Sequence, residues 1–321
     1  MSASSGVVST GGLLVKGLSD GSSFKSFRLS AASYKLAVFR VLLGTCEIEH
    51  PLTGKTSKFL DDVNKNRIDC FHIPYLKDSK DAPNARIKKF CQNFLDDEKL
   101  YKDLGSHFSD TEKKNIEFYK RLLTEICYAI LHREDEPITA FVHIYRAVEV
   151  ICFALPMLVY TAKNNDYIGG FRAFTQLISG LERSELPFFQ KYLSILIKND
   201  PGKDDVSFDI LVSSADSVNA DAIKKSFKAI CDEEKITVKS VAHVPGSVSY
   251  DLSLGLLDFY KFLVGVRNRF FHYSTGDRDR NFDFTRDITN PNDIFHCIND
   301  VALNWLAIVF SDIIVEELRA T

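Results

Sequence analysis

The chain has 321 residues, 45% of them hydrophobic and 26% charged, with a formal net charge of −3. That is ample material for a core in two domains or one large elaborated one. The slightly acidic balance excludes a general polycationic surface, so any contact with nucleic acid has to be local or confined to a cleft. Seven cysteines without a Cys-x-x-Cys pair argue against a zinc knuckle, a redox motif or a disulfide framework, and suit a reducing cytoplasm. Residues 1–12 have neither the basic start nor the apolar stretch of a signal peptide. The apolar run from Val150 to Tyr160, which contains Pro156, is too short to span a bilayer and reads as a buried core helix, so no membrane partner is expected.

In chain order, Leu13–Lys16, Phe24–Leu29 and Tyr34–Leu43 are short, mixed segments, some alternating like half-exposed strands, with turn residues between them. The stretch from Arg86 to Leu104 looks more helical. Residues 1–110 are accordingly expected to form a small β-containing N-terminal domain. From Asp110 the character changes: Asp110-Thr111-Glu112 resembles a helix start, and Lys113 to Arg133 keeps a helical period with its arginine late, where the helix dipole favours a cation. Pro137 opens a second long helix. Further helices are expected at Tyr167–Leu181 and Glu185–Lys198.

After the turn cluster Asn199–Asp205, Val206–Val212 alternates as a strand does, Asn219–Glu234 reads as an amphipathic helix, and Lys235–Val241 as a second strand. This strand-helix-strand passage, about residues 203–245, is expected as an insertion in a helical domain covering residues 111–321. The bundle resumes with an amphipathic helix from Leu252 to Val266 and closes with a long helix from Asp293 to Leu318. The expected fold class is therefore α+β: a C-terminal all-α bundle with an insertion, preceded by the β-containing region.

Chemistry concentrates at Arg267-Asn268-Arg269-Phe270-Phe271-His272-Tyr273. Arginine is a permanent cation that can fork two N–H groups onto phosphate oxygens, and histidine exchanges a proton near neutrality. On a helix Asn268 and His272 share a face, whereas Arg267 lies about 140° from His272, so it reaches across or the helix loosens before Gly276. Phe270 and Phe271 are expected to press this turn into the core.

A late-helix arginine, a polar residue, three further residues and a histidine resemble the signature of the HEPN superfamily, helical domains of which many are ribonucleases. The resemblance implies a HEPN-like homodimer whose two motifs meet in one composite cleft and cut RNA without metal or cofactor, leaving a 2′,3′-cyclic phosphate. By position, it implies that Arg267 holds the scissile phosphate, His272 is the general base or acid, and Asn268 orients one of them. It also implies that a polar residue from an adjacent helix, here Glu149, steadies the motif. The logic is sound for RNA, which supplies its own nucleophile in the 2′-hydroxyl, so the protein need only move protons and neutralise charge.

Spacing alone does not single out this site, because Arg67-Ile68-Asp69-Cys70-Phe71-His72 has the same interval. That copy has isoleucine where a polar residue is needed and precedes Pro74 in a stretch without helical period. Arg146 and Glu149, one turn apart on the second long helix, are either a buried bridge or part of the cleft. Arg269 and Tyr273 share a face suited to a neighbouring phosphate, a stacked base or a dimer interface. Arg278 and Arg280 follow in a loop where they are candidates for flanking RNA phosphates, diluted by Asp277 and Asp279. Gly54-Lys55-Thr56 lacks the upstream glycine of a phosphate loop and reads as a turn. His132, His143 and His296 read as isolated structural histidines, with no metal site.

The expected function is thus a cytoplasmic, metal-independent endoribonuclease of the toxin or phage-defence kind, an antiviral hydrolase acting on RNA, with a regulatory or sensor protein as a candidate partner. The alternative is a non-catalytic helical module that dimerises, binds nucleotides or serves as the sensor subunit of a larger complex.

Overall fold

A computed structural model of the chain describes residues 7–16, 33–42, 44, 46–59, 108, 115–163, 185–199, 207–239, 251–271 and 288–320. Over these residues the protein is mixed α+β and mostly helical, with seven helices and two small antiparallel sheets. The first sheet is a meander of β1 (Val8–Thr10), β2 (Leu13–Lys16), β3 (Glu47–Glu49) and β4 (Thr56–Ser57), with Val15 opposite Ile48. Between β2 and β3 lies α1 (Tyr34–Leu42). That segment reads in the sequence only as short and mixed in pattern; in the structure it is a helix, and every residue from Lys35 to Leu42 is buried. A helix surrounded on all sides has no polar face, so the period that would reveal it is missing.

The helical part begins with α2 (Ile116–His132), whose buried Tyr119, Leu122, Leu123, Ile126 and Ile130 form one apolar stripe. The turn at 133–136 leads into α3 (Pro137–Lys163), which starts on its proline and packs against α2. Then follow α4 (Glu185–Asn199), β5 (Phe208–Ile210), α5 (Ser217–Glu233), β6 (Leu252–Leu254), α6 (Leu256–Phe271) and α7 (Asn292–Ala320). The α5 helix starts on Asp216, whose carboxylate accepts from the Val218 amide at 2.9 Å.

Two expectations about this region are corrected. Leu252–Leu254 is a strand paired with β5, Phe208 opposite Leu254, and the helix starts only at Leu256. Of the second strand expected at Lys235–Val241, residues 235–239 are described, and they show one bridge, Val238 to Leu254. The partner of β5 thus comes from beyond the expected insertion. The expected helices at 86–104 and 167–181 and the short mixed segment at 24–29 lie outside the described residues.

One apolar core takes in Leu13 and Val15 of the sheet, α1, α2, α3 as far as Cys152 and α7 from Ile294 to Ile314. The sheet is fastened to α2 by polar contacts as well: Thr10 Oγ1 donates to the Lys120 carbonyl at 3.2 Å, and the Tyr128 hydroxyl donates to the Gly11 carbonyl. Gly11 sits at φ +53°, and a Cβ there would lie 2.6 Å from Thr124 Cγ2, so only glycine allows this close approach. Asn292–Ser311 in α7 is long and apolar enough to cross a membrane by length and composition, yet most of it is buried within the protein.

Packing of α5 on α6 depends on Gly265, where a Cβ would come within 2.6 Å of Ile230 Cγ2. Gly265→Val is expected to cost about 1–3 kcal/mol, the usual penalty of overpacking. Pairing it with Ile230→Ala should recover part of that loss in a urea titration. Simple additivity of the two changes would show that the helices do not meet there.

Candidate functional site

The last two turns of α6 carry Arg267, Asn268 and Arg269, which meet α3 on one side and α5 on the other. Arg267 leans on α3: its guanidinium carbon lies 5.1 Å from the centroid of the buried Tyr145 ring, a cation–π contact. Its Nη1 donates to Asn268 Oδ1 at 3.2 Å, and its Nη2 is 3.9 Å from Glu149 Oε1. The arginine side chain keeps 25% of its exposure and the glutamate 49%. Tyr145 and Glu149 are one turn apart on α3 and so present ring and carboxylate to the same cation. The result is a positive group held by an aromatic ring and an amide, still reached by solvent.

Of the residues singled out in the sequence, the structure brings together Arg267, Asn268 and Glu149. Arg146 does not form a buried bridge with Glu149, since both are exposed and Glu149 inclines toward Arg267. Arg269 turns instead to α5, with Nη2 at 2.9 Å from Glu233 Oε2 and a side chain only 10% exposed. Phe270 is half-buried against Phe295, ring centroids 4.7 Å apart. Phe271 is 43% exposed rather than pressed into the core, although its ring lies parallel to that of Phe141. His272, Tyr273, Arg278 and Arg280 lie outside the described residues, as do Arg67 and His72. Tyr145 was not anticipated, although its place four residues before Glu149 on a helix was a signal.

A second polar group sits where α2 turns into α3. His143 and His132 are not isolated: His143 Nδ1 is 2.7 Å from Glu125 Oε2 and His132 Nδ1 is 3.3 Å from Glu136 Oε2. Their rings and that of Tyr128 stack nearly parallel, with centroids 5.1–6.1 Å apart. Lys55, in the connection between β3 and β4, pairs with Asp135, and Gly54-Lys55-Thr56 leads from that connection into β4. His296 is exposed on α7. Among the described residues no group of three metal-ligating side chains converges. Burial, more than any neighbour, lowers the pKa of His132 from its ordinary 6.5; His143 and Lys55 act the same way, while Glu136 and Asp135 oppose it.

The sign of the resulting pH dependence follows. Below about pH 6.5 the unfolded chain takes up a proton at His132 that the folded chain resists, so this group's contribution to stability is present at neutral pH and is lost on acidification. Wild-type protein should show a lower urea midpoint at about pH 5.5 than at about pH 7.5, and His132→Gln should reduce that difference. An undiminished difference in the variant would remove His132 from the account. Burial pushes the thiols of Cys127 and Cys231 up, Cys231 to about 11. They are therefore poor nucleophiles at neutral pH.

Comparison with protein-family models, with curated proteins and with solved structures returned no match.

Proposed function

We propose that this protein is an endoribonuclease of HEPN type, cutting RNA without metal by attack of the 2′-hydroxyl on the adjacent phosphodiester. The observation that carries the reading is Arg267: a guanidinium at the end of α6, held by Tyr145 and Asn268, beside a carboxylate from α3, and still open to solvent. Such a cation suits a phosphodiester, to which it offers two parallel N–H donors and charge that offsets the phosphorane. His272, next after the last described residue of α6, is assigned the proton transfer, and Asn268 the orientation of the arginine. Two copies are needed if each supplies one acid/base group, so the active species is a homodimer with a shared cleft. Toxin or phage-defence action, a cytoplasmic setting and restraint by a regulatory partner belong to the same reading.

The test is cleavage of a mixed RNA pool by purified protein in EDTA, with the ends of the fragments identified. Fragments ending in 2′,3′-cyclic phosphate support the proposal. Activity that appears only with magnesium and persists in His272→Ala would overturn it. The contacts of Arg267 also suit a second reading, a non-catalytic module in which they staple α3 to α6. A stable dimer that leaves every RNA intact would favour that module.

A further inference from the structure

We propose that Glu149 is a built-in competitor at the Arg267 anion site: its carboxylate balances the guanidinium in the empty protein and gives way when a phosphodiester binds. The inference rests on the reading of Arg267 as a phosphate-binding cation, and it assigns Glu149 a role opposite to that of steadying the motif for binding.

Three features carry it. The Arg267 Nη2 to Glu149 Oε1 distance of 3.9 Å is too long for a hydrogen bond, so the pair is held by charge alone. Glu149 is half-exposed, and an ion pair so placed is screened and contributes little. The guanidinium has other fixings, the Tyr145 ring at 5.1 Å and Asn268 Oδ1 at 3.2 Å, so its position does not depend on the carboxylate. A phosphodiester offers two acceptor oxygens matched to the guanidinium fork and replaces a loose monodentate partner with a bidentate one. The exposed Arg146, three residues before Glu149 on the same helix face, adds positive charge at the site once the glutamate has moved aside.

The two roles of Glu149 differ in sign. A carboxylate that steadies Arg267 for its ligand strengthens anion binding, so its removal weakens it. A carboxylate that competes weakens binding, so its removal tightens it. The experiment measures binding of inorganic pyrophosphate, and separately of a 2′-O-methyl RNA oligonucleotide that lacks the nucleophile, to full-length wild-type, Glu149→Gln and Arg267→Ala proteins of matched circular dichroism. Glu149→Gln should bind both probes about fivefold more tightly, what one exposed ion pair amounts to, and Arg267→Ala should bind both more weakly than wild type. Equal or weaker binding by Glu149→Gln overturns the inference. Failure of the nuclease reading is separately visible: wild-type protein that cleaves no RNA removes that reading, while the pyrophosphate comparison still decides the role of Glu149.

Discussion

Arg267→Ala is expected to lower RNA cleavage by about 10²–10³, the scale of removing one preorganised donor from a developing oxyanion, while leaving the fold intact. Stability should change little, because the contacts described for Arg267 are each weak: one cation–π interaction, one hydrogen bond to the neighbouring Asn268 and one loose, half-exposed ion pair. Arg267→Lys separates charge from geometry. It keeps the cation but loses the planar fork that lies on Tyr145 and meets two phosphate oxygens, so activity should fall between wild type and alanine. His272→Ala should cost about 10²–10⁴, the range for a positioned acid or base. Arg67→Ala and His72→Ala are the matched controls and should leave cleavage unchanged. Retained cleavage in both Arg267→Ala and His272→Ala would end the nuclease reading, and a loss in the Arg67 or His72 variant would move the site.

What could be read in the sequence follows from where each pattern has its physical origin. The stripe of α2, the proline start of α3 and the long apolar α7 are local, since each helix writes its own period. The strand at Leu252–Leu254 is not local. Leu252 and Leu254 are as compatible with a helix as with a strand, and the pairing with Phe208 and Ile210 that decides between them joins residues far apart in the chain. Tyr34–Leu42 fails for the opposite reason: with Lys35 and Arg40 buried along with its apolar residues, it offers no exposed face to mark a period.

The candidate site divides in the same way. Arg267 and Asn268 are legible as a motif, and Glu149 through the resemblance that motif carries. The Tyr145 contact needed the helices to be placed side by side. So did the partnership of Arg269 with Glu233, which a motif containing two nearby arginines gives no means to foresee. Glu125 and His143 lie 18 positions apart on facing helices, whereas His132 and Glu136 stand at the four-residue spacing a sequence can show.

Trp305→Ala is expected to cost about 3–5 kcal/mol, a large share of the roughly 5–15 kcal/mol that holds a typical domain together. Trp305 is fully buried in α7, and its ring lies 6.0 Å from Tyr260 and 6.3 Å from Phe259 of α6 and 6.2 Å from Phe189 of α4. Its Nε1 donates to the Leu256 carbonyl at 2.9 Å, pinning the first turn of α6. Truncation empties the junction of three helices, so the penalty is mainly cavity and lost contact. Trp305→Phe keeps most of the volume and isolates the hydrogen bond, with an expected loss of about 1–2 kcal/mol. It is the only tryptophan in the chain, so wild-type unfolding can be followed by its fluorescence, while the variants need circular dichroism. Because α6 also carries Arg267, both kinds of variant should lower cleavage, but for different reasons. Loss in Trp305→Ala should track the unfolded fraction and shrink on cooling toward the temperature of greatest stability. Loss in Arg267→Ala should persist wherever the protein is folded. A Trp305→Ala protein that is fully folded yet inactive would place the tryptophan in the chemistry of the site instead of beneath it.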